Sequence, residues 1–323
     1  MKYQTLAKSP VLFGRFTGLT VQEFDRLSLK LKPLWDKAET ERLSRDNRQR
    51  QIGGGRKYKI SSFEDKLLLI LMFYKLYLTF EMLGFLFFDL DKSCISRLIS
   101  RLEPVFSKRL KLPEIKRDRD KPISTVEELL ELYPEMQEFI SDATEQEIPR
   151  PKDKRKRKKY YSGKKKRHTV KTQLTIERGT GQIFELSSPY AGSVHDYTIF
   201  KQTRLPDKLS ANSRLYLDKG YDGVKRDFPG HNIAIPKKAN RWHKLSGKDR
   251  FENRKIGQKR IEVEHSILKC KRFKILHQIY RHSLKDYGLR FKNIAGLVNF
   301  KIQNTIKQLN QTANVGQLAV TVA

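Results

Sequence analysis

From about residue 136 onward, the apolar pattern of this chain changes from helical spacing to a period of two. The clearest segment is VKTQLTIER, in which Val170, Thr172, Leu174 and Ile176 alternate with polar residues. Strict alternation is typical of a strand with one buried face. A glycine-containing turn at residues 179–181 leads into QIFELSSP, so the two segments are predicted to form a hairpin.

Three more strands and two helices complete this part of the chain. EFISDAT precedes the hairpin, whereas RLYLD and NIAIP follow it. HDYTIFKQT is predicted to be a short helix, and a long charged helix is predicted from about residue 254 to 273. The order of three strands, helix, two strands and helix predicts an α/β domain with a mixed five-stranded sheet and flanking helices.

The N-terminal part of the chain is predicted to be helical. Capping boxes at Thr20–Glu23 and Ser61–Glu64 open two helices, because each box satisfies backbone N–H groups that the first helical turn leaves free. The first helix is predicted to end near Pro33. The second continues through the apolar run at residues 67–78, which contains Lys75 and is shorter than the roughly 20 residues of a membrane span.

A helix-turn-helix motif is predicted next. A short helix starts at Thr79, a turn follows near residues 88–90, and a second helix runs from about Asp91 to Glu103. An apolar stripe with a basic face opposite is the layout of a DNA recognition helix. An ordinary amphipathic helix with a solvated basic face is the alternative. The stripe is formed by Ile95, Leu98, Ile99 and Leu102, and the candidate DNA-binding residues off it are Ser93, Arg97 and Arg101.

The formal net charge is +31, from 67 basic and 36 acidic residues. Such an excess repels itself in a compact protein and is offset by a polyanion, of which nucleic acid is the first candidate. The start of the chain lacks the apolar stretch of a secretory signal. Two cysteines, Cys94 and Cys270, indicate neither a disulfide framework nor a zinc site. A cytoplasmic protein that binds nucleic acid and no membrane is therefore expected.

A basic insert occupies residues 152–167, between the first predicted strand and the hairpin, and holds eleven basic residues against one acid. Its position predicts a surface that holds a phosphate backbone close to Asp142. A solvated charge run or a nuclear-localisation tract is the alternative. The candidate DNA-binding residues of the insert are Lys154, Arg155, Lys156, Arg157, Lys158, Lys159, Lys164, Lys165 and Lys166.

Two carboxylates, Asp142 and Asp218, each end a predicted strand. If the two strands are neighbours, the carboxylates converge and repel each other, and a divalent cation relieves that repulsion. Two metal ions can activate the nucleophile and stabilise the leaving oxygen of a phosphodiester. The pattern favours metal-dependent phosphoryl transfer on DNA, although either aspartate taken alone fits a turn or a helix cap.

A third carboxylate, Glu264, lies on the late charged helix. Arg260, Glu264 and Lys271 follow the spacing R-x3-E-x6-K, which places them on one side of a helix. That side offers one carboxylate to a metal and two cations, Arg260 and Lys271, to DNA. A solvent-exposed helix with internal ion pairs is the alternative.

Several segments resemble the DDE transposases of bacterial insertion sequences, in the IS-five and Harbinger-like branch. They run in the family's order from about residue 136 to 280, and residues 61–106 look like the helix-turn-helix that precedes the catalytic domain. The matching pieces are SDATEQEIPRP, YYSGKKKRHTVK, GSVHD, LYLDKGYDG, IPKKA and RIEVEHSILKCKRFKIL.

The resemblance implies an RNase H-like catalytic domain in which Asp142, Asp218 and Glu264 form the catalytic and metal-binding triad. It implies two Mg²⁺ ions, with Mn²⁺ as a substitute. The implied substrates are the inverted repeats at the element ends and a target duplex. The implied reaction is hydrolysis followed by transfer of a 3′-hydroxyl, within a homo-oligomer that pairs two ends in the bacterial cytoplasm, at the nucleoid.

The match to the family leaves alternatives open. Gly257 stands where related enzymes often carry tyrosine. Asp196 competes with Asp218 for the middle carboxylate, and Glu262 competes with Glu264. His195 and Asp196 either support the site from its edge or cap the helix that follows them.

Four ranges are predicted as domains. They are an N-terminal helical segment and linker (1–60), a helix-turn-helix domain (61–120), a DDE catalytic domain (121–302) and a polar C-terminal tail (303–323). An active transposase is the leading hypothesis. A non-catalytic DNA-binding protein derived from a transposase, and a basic RNA-binding protein, are the alternatives.

Overall fold

The computed structural model describes residues 1–44, 51–52, 55, 57–112, 138–209, 213–239 and 244–321, with side chains up to residue 308 in the last range. The chain forms two compact units, and each is considered by itself. The first consists of Met1–Lys111, Lys271–His277 and Leu289–Ala323, and the second of Leu112–Cys270 and Gln278–Gly288. These two units are defined by packing contacts. The four domain ranges predicted from the sequence remain predictions.

The first unit is helical. Its helices are α1 (Tyr3–Leu6), α2 (Pro10–Thr17), α3 (Val21–Leu43), α4 (Phe63–Leu76), α5 (Phe80–Leu86), α6 (Lys92–Arg109) and the greater part of the last helix, α11 (Leu284–Thr321). A one-turn 3₁₀ helix, Lys274–Leu276, belongs to the same unit. The sequence predicted a polar segment from residue 303, and the last helix continues through it to Thr321.

Helix α3 begins as predicted, but it does not end near Pro33. The Thr20 hydroxyl accepts from the Glu23 backbone N–H at 3.1 Å, and the Glu23 carboxylate accepts from the Thr20 N–H at 2.8 Å. The helix continues to Leu43 because its buried face spans the proline, with Leu31 before it and Trp35 after it. Burial of that face outweighs the local cost of the proline.

Helix α4 starts one residue later than predicted. Ser62, and not Ser61, caps it by accepting from the Asp65 backbone N–H at 3.0 Å. Most of the helix is buried, as its apolar run predicts. No helix in the described part of the chain is long and apolar enough to cross a membrane.

Helices α5 and α6 form the predicted helix-turn-helix pair. Gly84 allows the turn, because a Cβ atom there would lie 1.9 Å from the Leu90 carbonyl oxygen. Asp91 caps α6 by accepting from the Ser93 backbone N–H at 2.8 Å. The predicted apolar stripe is buried, which confirms the orientation of this helix. The stripe consists of Ile95, Leu98, Ile99 and Leu102.

The second unit is built on a mixed sheet. Its strands are β1 (Glu138–Glu147), β2 (Tyr161–Ser162), β3 (Arg167–Glu177), β4 (Ile183–Leu186), β5 (Tyr190–Ala191), β6 (Arg214–Tyr216) and β7 (Asn232–Ala234). Its helices are α7 (Lys154–Tyr160), α8 (Asp196–Thr203), a 3₁₀ turn at Leu205–Lys208, α9 (Val224–Asp227) and α10 (Gly247–Lys271).

The sheet places β1 at its centre. Strand β1 pairs antiparallel with β3 and parallel with β6, and β6 pairs parallel with β7. Strand β3 also pairs with β4 and with the two-residue strands β2 and β5. Five of these strands are the predicted ones, so the mixed α/β class and the RNase H-like arrangement predicted from the sequence are confirmed.

An aromatic core packs against the β1, β6 and β7 side of the sheet and fixes the loops that follow these strands. Phe139, Phe200 and Leu217 are fully buried in it. Tyr221 and Val224, which follow β6, are buried in the same cluster. The chain just after β6 is therefore held rigidly next to β1.

Candidate active site

Asp142 lies on β1, and Asp218 lies just after β6, the parallel neighbour of β1. Ile140 of β1 stands opposite Tyr216 of β6, and each aspartate is two residues further along its own chain. The adjacency expected from the resemblance is present. Asp218 follows the end of β6 as predicted, but Asp142 does not end its strand. It lies in the middle of β1, because the long antiparallel partner β3 pairs with β1 as far as Glu147.

Arg260 of α10 bridges the two aspartates. Its guanidinium donates to Asp218 Oδ1 at 2.9 Å, and its Nη2 lies 3.8 Å from Asp142 Oδ2. The Arg260 side chain is only 15% exposed. Sequence reasoning assigned this arginine to DNA and not to the aspartates.

The surroundings of Asp142 disfavour its ionised form. Burial is the largest cause that raises the pKa of Asp142, and the nearby charges of Asp218 and Asp196 raise it further. A hydrogen bond from the Ala143 backbone N–H and the charge of Arg260 act in the opposite direction. Three carboxylates therefore share one electrostatic neighbourhood, which is a chemical setting that attracts cations.

Asp196 is held by a lysine. Lys171 Nζ donates to Asp196 Oδ1 at 3.0 Å and to the Val194 carbonyl oxygen at 2.9 Å, and it lies 3.6 Å from Glu145. Asp196 is the first residue of α8, whose cap is His195. The His195 Nδ1 atom accepts from the Tyr197 backbone N–H at 3.3 Å. The capping alternative is thus the one that the structure supports for His195.

Glu264 lies on α10 one turn after Arg260, on the same side of the helix, and is exposed. Within the described ranges, no three histidine, cysteine or acidic side chains stand close enough together to hold one metal ion. The structure therefore brings Asp142 and Asp218 together around Arg260, and the role of Glu264 stays a prediction. Lys271, the last residue of α10, is grouped by packing with the first unit.

Glu262, the competitor of Glu264, is engaged elsewhere. Its carboxylate accepts from Arg178 Nε at 3.0 Å. Arg178 also donates to Glu138, at the start of β1, at 2.5 Å. Glu262 therefore belongs to an ion network that connects α10 to the sheet. This network reaches β1 at Glu138, four residues before Asp142.

That network is centred on Glu138 and was not foreseen from the sequence. Lys259 Nζ donates to Glu138 Oε1 at 2.6 Å, and the Tyr216 hydroxyl donates to the same carboxylate at 2.5 Å. Burial alone would raise the pKa of Glu138, but the hydrogen bonds from Lys259, Tyr216 and Arg178 outweigh it and lower the pKa to about 2. These partners are far apart along the chain, so no local sequence pattern predicts their contacts.

Tyr221 is a second residue that sequence reasoning missed. It is 2% exposed, and its hydroxyl has no hydrogen-bond partner among the residues that the structure describes. Burial raises the pKa of Tyr221, and the charges of Asp142, Asp196 and Asp218 raise it further, so it stays protonated. The available signal was its place in LYLDKGYDG, three residues after Asp218.

The donor set fits a divalent cation at the aspartate pair. Asp142 and Asp218 offer oxygen ligands of the kind that Mg²⁺ prefers. The Arg260 guanidinium already occupies a cationic position between them. The Tyr221 hydroxyl is an additional buried donor in their electrostatic field.

The basic insert folds into α7 and the turn before β3. Asp153 caps α7 by accepting from the Lys156 backbone N–H at 2.8 Å, and the lysines of the helix are exposed. Ser193 donates to the Lys159 carbonyl oxygen through its hydroxyl at 2.6 Å. The insert is thus attached to the loop that leads into Asp196. The predicted contact of the insert with DNA close to Asp142 stays a prediction.

The exposed face of α6 carries the predicted DNA-binding residues. Ser93 and Arg97 are exposed, and Arg97 Nη2 donates to Ser93 Oγ at 3.2 Å. Arg101 is more enclosed, because its Nη1 lies 3.5 Å from Glu39 of α3. A cavity of about 220 Å³ lies beside Arg97 and Arg101, with Trp35 among its lining residues. Arg97 is therefore more available to a ligand than Arg101.

Comparison with known proteins gives two family matches and a similar transposase. Residues 141–299 match a family described as DDE superfamily endonuclease, and residues 58–112 match one described as helix-turn-helix of DDE superfamily endonuclease. The "Probable transposase for insertion sequence element IS702" of Microchaete diplosiphon is 32% identical over 251 residues, covering 77% of this chain and 83% of the relative.

A solved structure shows a weaker similarity. It is titled "Cryo-EM structure of piggyBac transposase synaptic complex with hairpin DNA (SNHP)". The alignment covers 93% of this chain and 76% of that one, with a TM-score of 0.41 and 10% sequence identity.

Proposed function

This chain belongs to the DDE superfamily of endonucleases, with a helix-turn-helix domain of that superfamily, and from that premise we propose that it is an active transposase. It binds the terminal inverted repeats of an insertion sequence, cuts DNA there and transfers the freed strand to a target. The observation that carries the proposal is the Asp142 and Asp218 pair at neighbouring parallel strands, with a cation between them. We further propose, on the resemblance of its motifs, that it belongs to the IS-five and Harbinger-like branch.

The proposed metal ligands are Asp142, Asp218 and Glu264, for two Mg²⁺ ions or Mn²⁺ in their place. When bound, such ions activate the attacking oxygen and stabilise the leaving oxygen of the phosphodiester. Asp218 is favoured over Asp196 because it follows β6, the parallel neighbour of β1, two residues after Tyr216, which pairs with Ile140. Glu264 is favoured over Glu262 because Arg178 already engages Glu262.

The protein's own side chains support this chemistry in other ways. The Tyr221 hydroxyl is a protonated, buried donor in the electrostatic field of the carboxylates. The Glu138 network fixes α10, and with it Arg260 and Glu264, against the sheet. Positioning of this kind is the main contribution of a protein to phosphoryl transfer.

Two basic surfaces are proposed to hold the DNA. The face of α6 reads the element ends with Ser93, Arg97 and Arg101, whereas the insert binds the phosphate backbone close to the carboxylates. Arg260 and Lys271 add contacts from α10. A homo-oligomer is proposed because two element ends must be paired, and the bacterial cytoplasm, at the nucleoid, is the proposed location.

Cleavage of an end-containing duplex tests the proposed function. Purified protein with Mg²⁺ is expected to nick a duplex that carries the terminal repeats of the element more than a shuffled duplex, and chelation of the metal is expected to stop the reaction. Denaturing electrophoresis of end-labelled strands measures the nicks. Binding of the repeats without cleavage in any divalent metal would favour the non-catalytic alternative, and preference for RNA would contradict both.

A change in salt dependence tests the role of the insert. The double variant Lys154→Gln/Lys158→Gln removes two exposed charges from one side of α7. The log–log slope of duplex affinity against salt is expected to flatten by about 0.9 for each lost phosphate contact, so by up to about 1.8. Fluorescence anisotropy of a labelled duplex across a salt series measures this slope.

The matched control for the insert is Lys225→Gln/Lys248→Gln, which removes the same charge from exposed positions outside it. The control is expected to leave the slope near that of the unmodified protein. Equal flattening in both double variants would mean that overall charge, and not the insert, sets the affinity.

A further inference from the structure

Arg260 stands where a metal ion would have to enter. Its guanidinium contacts both proposed ligands, at 2.9 Å from Asp218 and 3.8 Å from Asp142. The same carboxylate oxygens cannot face the guanidinium and a divalent cation together, because the two cations repel at such short range. Metal binding through Asp218 Oδ1 and Asp142 Oδ2 therefore requires Arg260 to leave these oxygens.

The contact is also incomplete. The Arg260 Nε–H is buried and has no acceptor among the residues that the structure describes. A buried donor without a partner costs free energy, so this position is maintained by the charges of the aspartates and not by a saturated set of hydrogen bonds. Such a guanidinium exchanges more readily than one whose donors are all satisfied.

The backbone of α10 is held by contacts that do not involve the Arg260 side chain. Lys259, the preceding residue, donates to Glu138 and to the Tyr216 hydroxyl, both at 2.6 Å. Two residues after Arg260, Glu262 accepts from Arg178. The helix is therefore anchored on both sides of Arg260, and exchange takes place by rotation of the long arginine side chain. A guanidinium released in this way is well suited to a phosphate oxygen.

We propose that Arg260 is an exchangeable internal counter-ion of the Asp142 and Asp218 pair. In the absence of DNA it offsets part of the negative charge of the pair and weakens metal binding. When a DNA phosphate takes the guanidinium, the carboxylates become available to the metal. Metal and DNA then strengthen each other's binding through Arg260, by the same factor in both directions. This inference rests on the proposed function, since it needs a metal at the aspartate pair.

Titration of the full-length protein with Mn²⁺ in the absence of DNA, by isothermal calorimetry, tests the proposal. Arg260→Gln is expected to bind Mn²⁺ about 5- to 150-fold more tightly than the unmodified protein, the usual range of coupling between two sites. Arg260→Lys keeps the charge but loses the two-pronged contact, so its affinity is expected to lie between them. Arg254→Gln, an exposed arginine on the same helix, is the matched control and is expected to change nothing.

Duplex affinity with and without Mn²⁺ is the second measurement. In the unmodified protein Mn²⁺ is expected to tighten duplex binding, and in Arg260→Gln this gain is expected to shrink. Mn²⁺ affinity equal to that of the unmodified protein in both Arg260 variants would overturn the proposal, and Arg260→Lys decides the matter if Arg260→Gln does not fold.

The same Mn²⁺ titration of Asp142→Asn distinguishes failure of the counter-ion role from failure of the proposed metal site. If Mn²⁺ binding depends on Asp142 but not on Arg260, only the counter-ion role is wrong. If Mn²⁺ binds Asp142→Asn as tightly as it binds the unmodified protein, both the counter-ion role and the metal site of the proposed function are wrong.

Discussion

The Asp142→Asn protein is expected to lose DNA cleavage by roughly 10³-fold or more, which corresponds to about 4 kcal/mol of transition-state stabilisation. Asparagine keeps the shape of the side chain but removes the charge that a divalent metal needs. Because Asp142 lies in the middle of β1, its position depends on sheet pairing with β3 and not on its own carboxylate. The substitution is therefore expected to abolish DNA cleavage without unfolding the protein.

The thermal stability of Asp142→Asn gives a second readout, and its expected direction follows from the pKa of Asp142. The folded-state pKa of Asp142 is raised, chiefly by burial. A carboxyl whose pKa rises on folding disfavours the folded state at neutral pH, and this cost shrinks as the pH falls through the folded-state pKa and is gone below the unfolded-state pKa. Asp142→Asn is thus expected to have a Tm equal to or above that of the unmodified protein near neutral pH, with the difference narrowing in acid.

The matched control for Asp142 is Asp222→Asn. Its side chain is 75% exposed and pairs with Lys238 at the surface, so the variant is expected to keep both cleavage and Tm. Single-turnover cleavage of an end-containing duplex and thermal unfolding by circular dichroism measure the two effects. Cleavage by Asp142→Asn at the unmodified rate would remove Asp142 from the catalytic set.

The Arg290→Met protein is expected to lose about 3–5 kcal/mol of stability in the first unit, because it leaves the Glu103 carboxylate buried without its counter-ion. Arg290 Nε donates to Glu103 at 2.6 Å, and the two side chains are only 5% and 4% exposed. Asn293 donates to the Glu103 carbonyl oxygen at 3.0 Å, beside the same pair. The last helix is tied to α6 by this cluster.

The double variant Glu103→Leu/Arg290→Met separates loss of the charge balance from loss of packing. Removing both charges is expected to recover most of the stability lost in Arg290→Met, since apolar replacement of a whole buried pair is often neutral or favourable. As a surface comparison, Asp36→Asn breaks the Lys32–Asp36 pair, whose side chains are about half exposed, and is expected to cost less than about 1 kcal/mol.

Urea unfolding followed by Trp35 fluorescence, in a Trp242→Phe background, measures these stabilities in the first unit. A loss below about 1 kcal/mol in Arg290→Met, the scale of an exposed pair, would mean that the buried pair does not hold α11 in this unit.

Local signals predicted the elements well. The Thr20 capping box, the turn near residues 88–90 and the apolar stripe of α6 are all set by residues a few positions apart, and the structure agrees with each. The errors came where tertiary packing overrides a local signal. Helix α3 passes through Pro33 because its buried face continues on both sides, and β1 passes beyond Asp142 because β3 continues to pair with it.

The candidate site was predicted only in part. The acids Asp142 and Asp218 were identified from their positions after apolar segments, and the sheet brings them together. Nothing local indicated that Arg260 would sit between them, or that Arg178 would engage Glu262. Tyr221 carried a weak signal in its motif, but its buried hydroxyl follows from the aromatic core around it.

The sequence by itself determined the order of helices and strands, the strongly basic charge and the identity of the acids, because periodicity, capping and composition act between near neighbours. Only the tertiary structure decided which acid faces which cation. Glu138 meets Lys259 across 121 positions and Glu103 meets Arg290 across 187. The strength of such pairs depends on burial and distance in the folded protein, and neither quantity exists until the chain has packed.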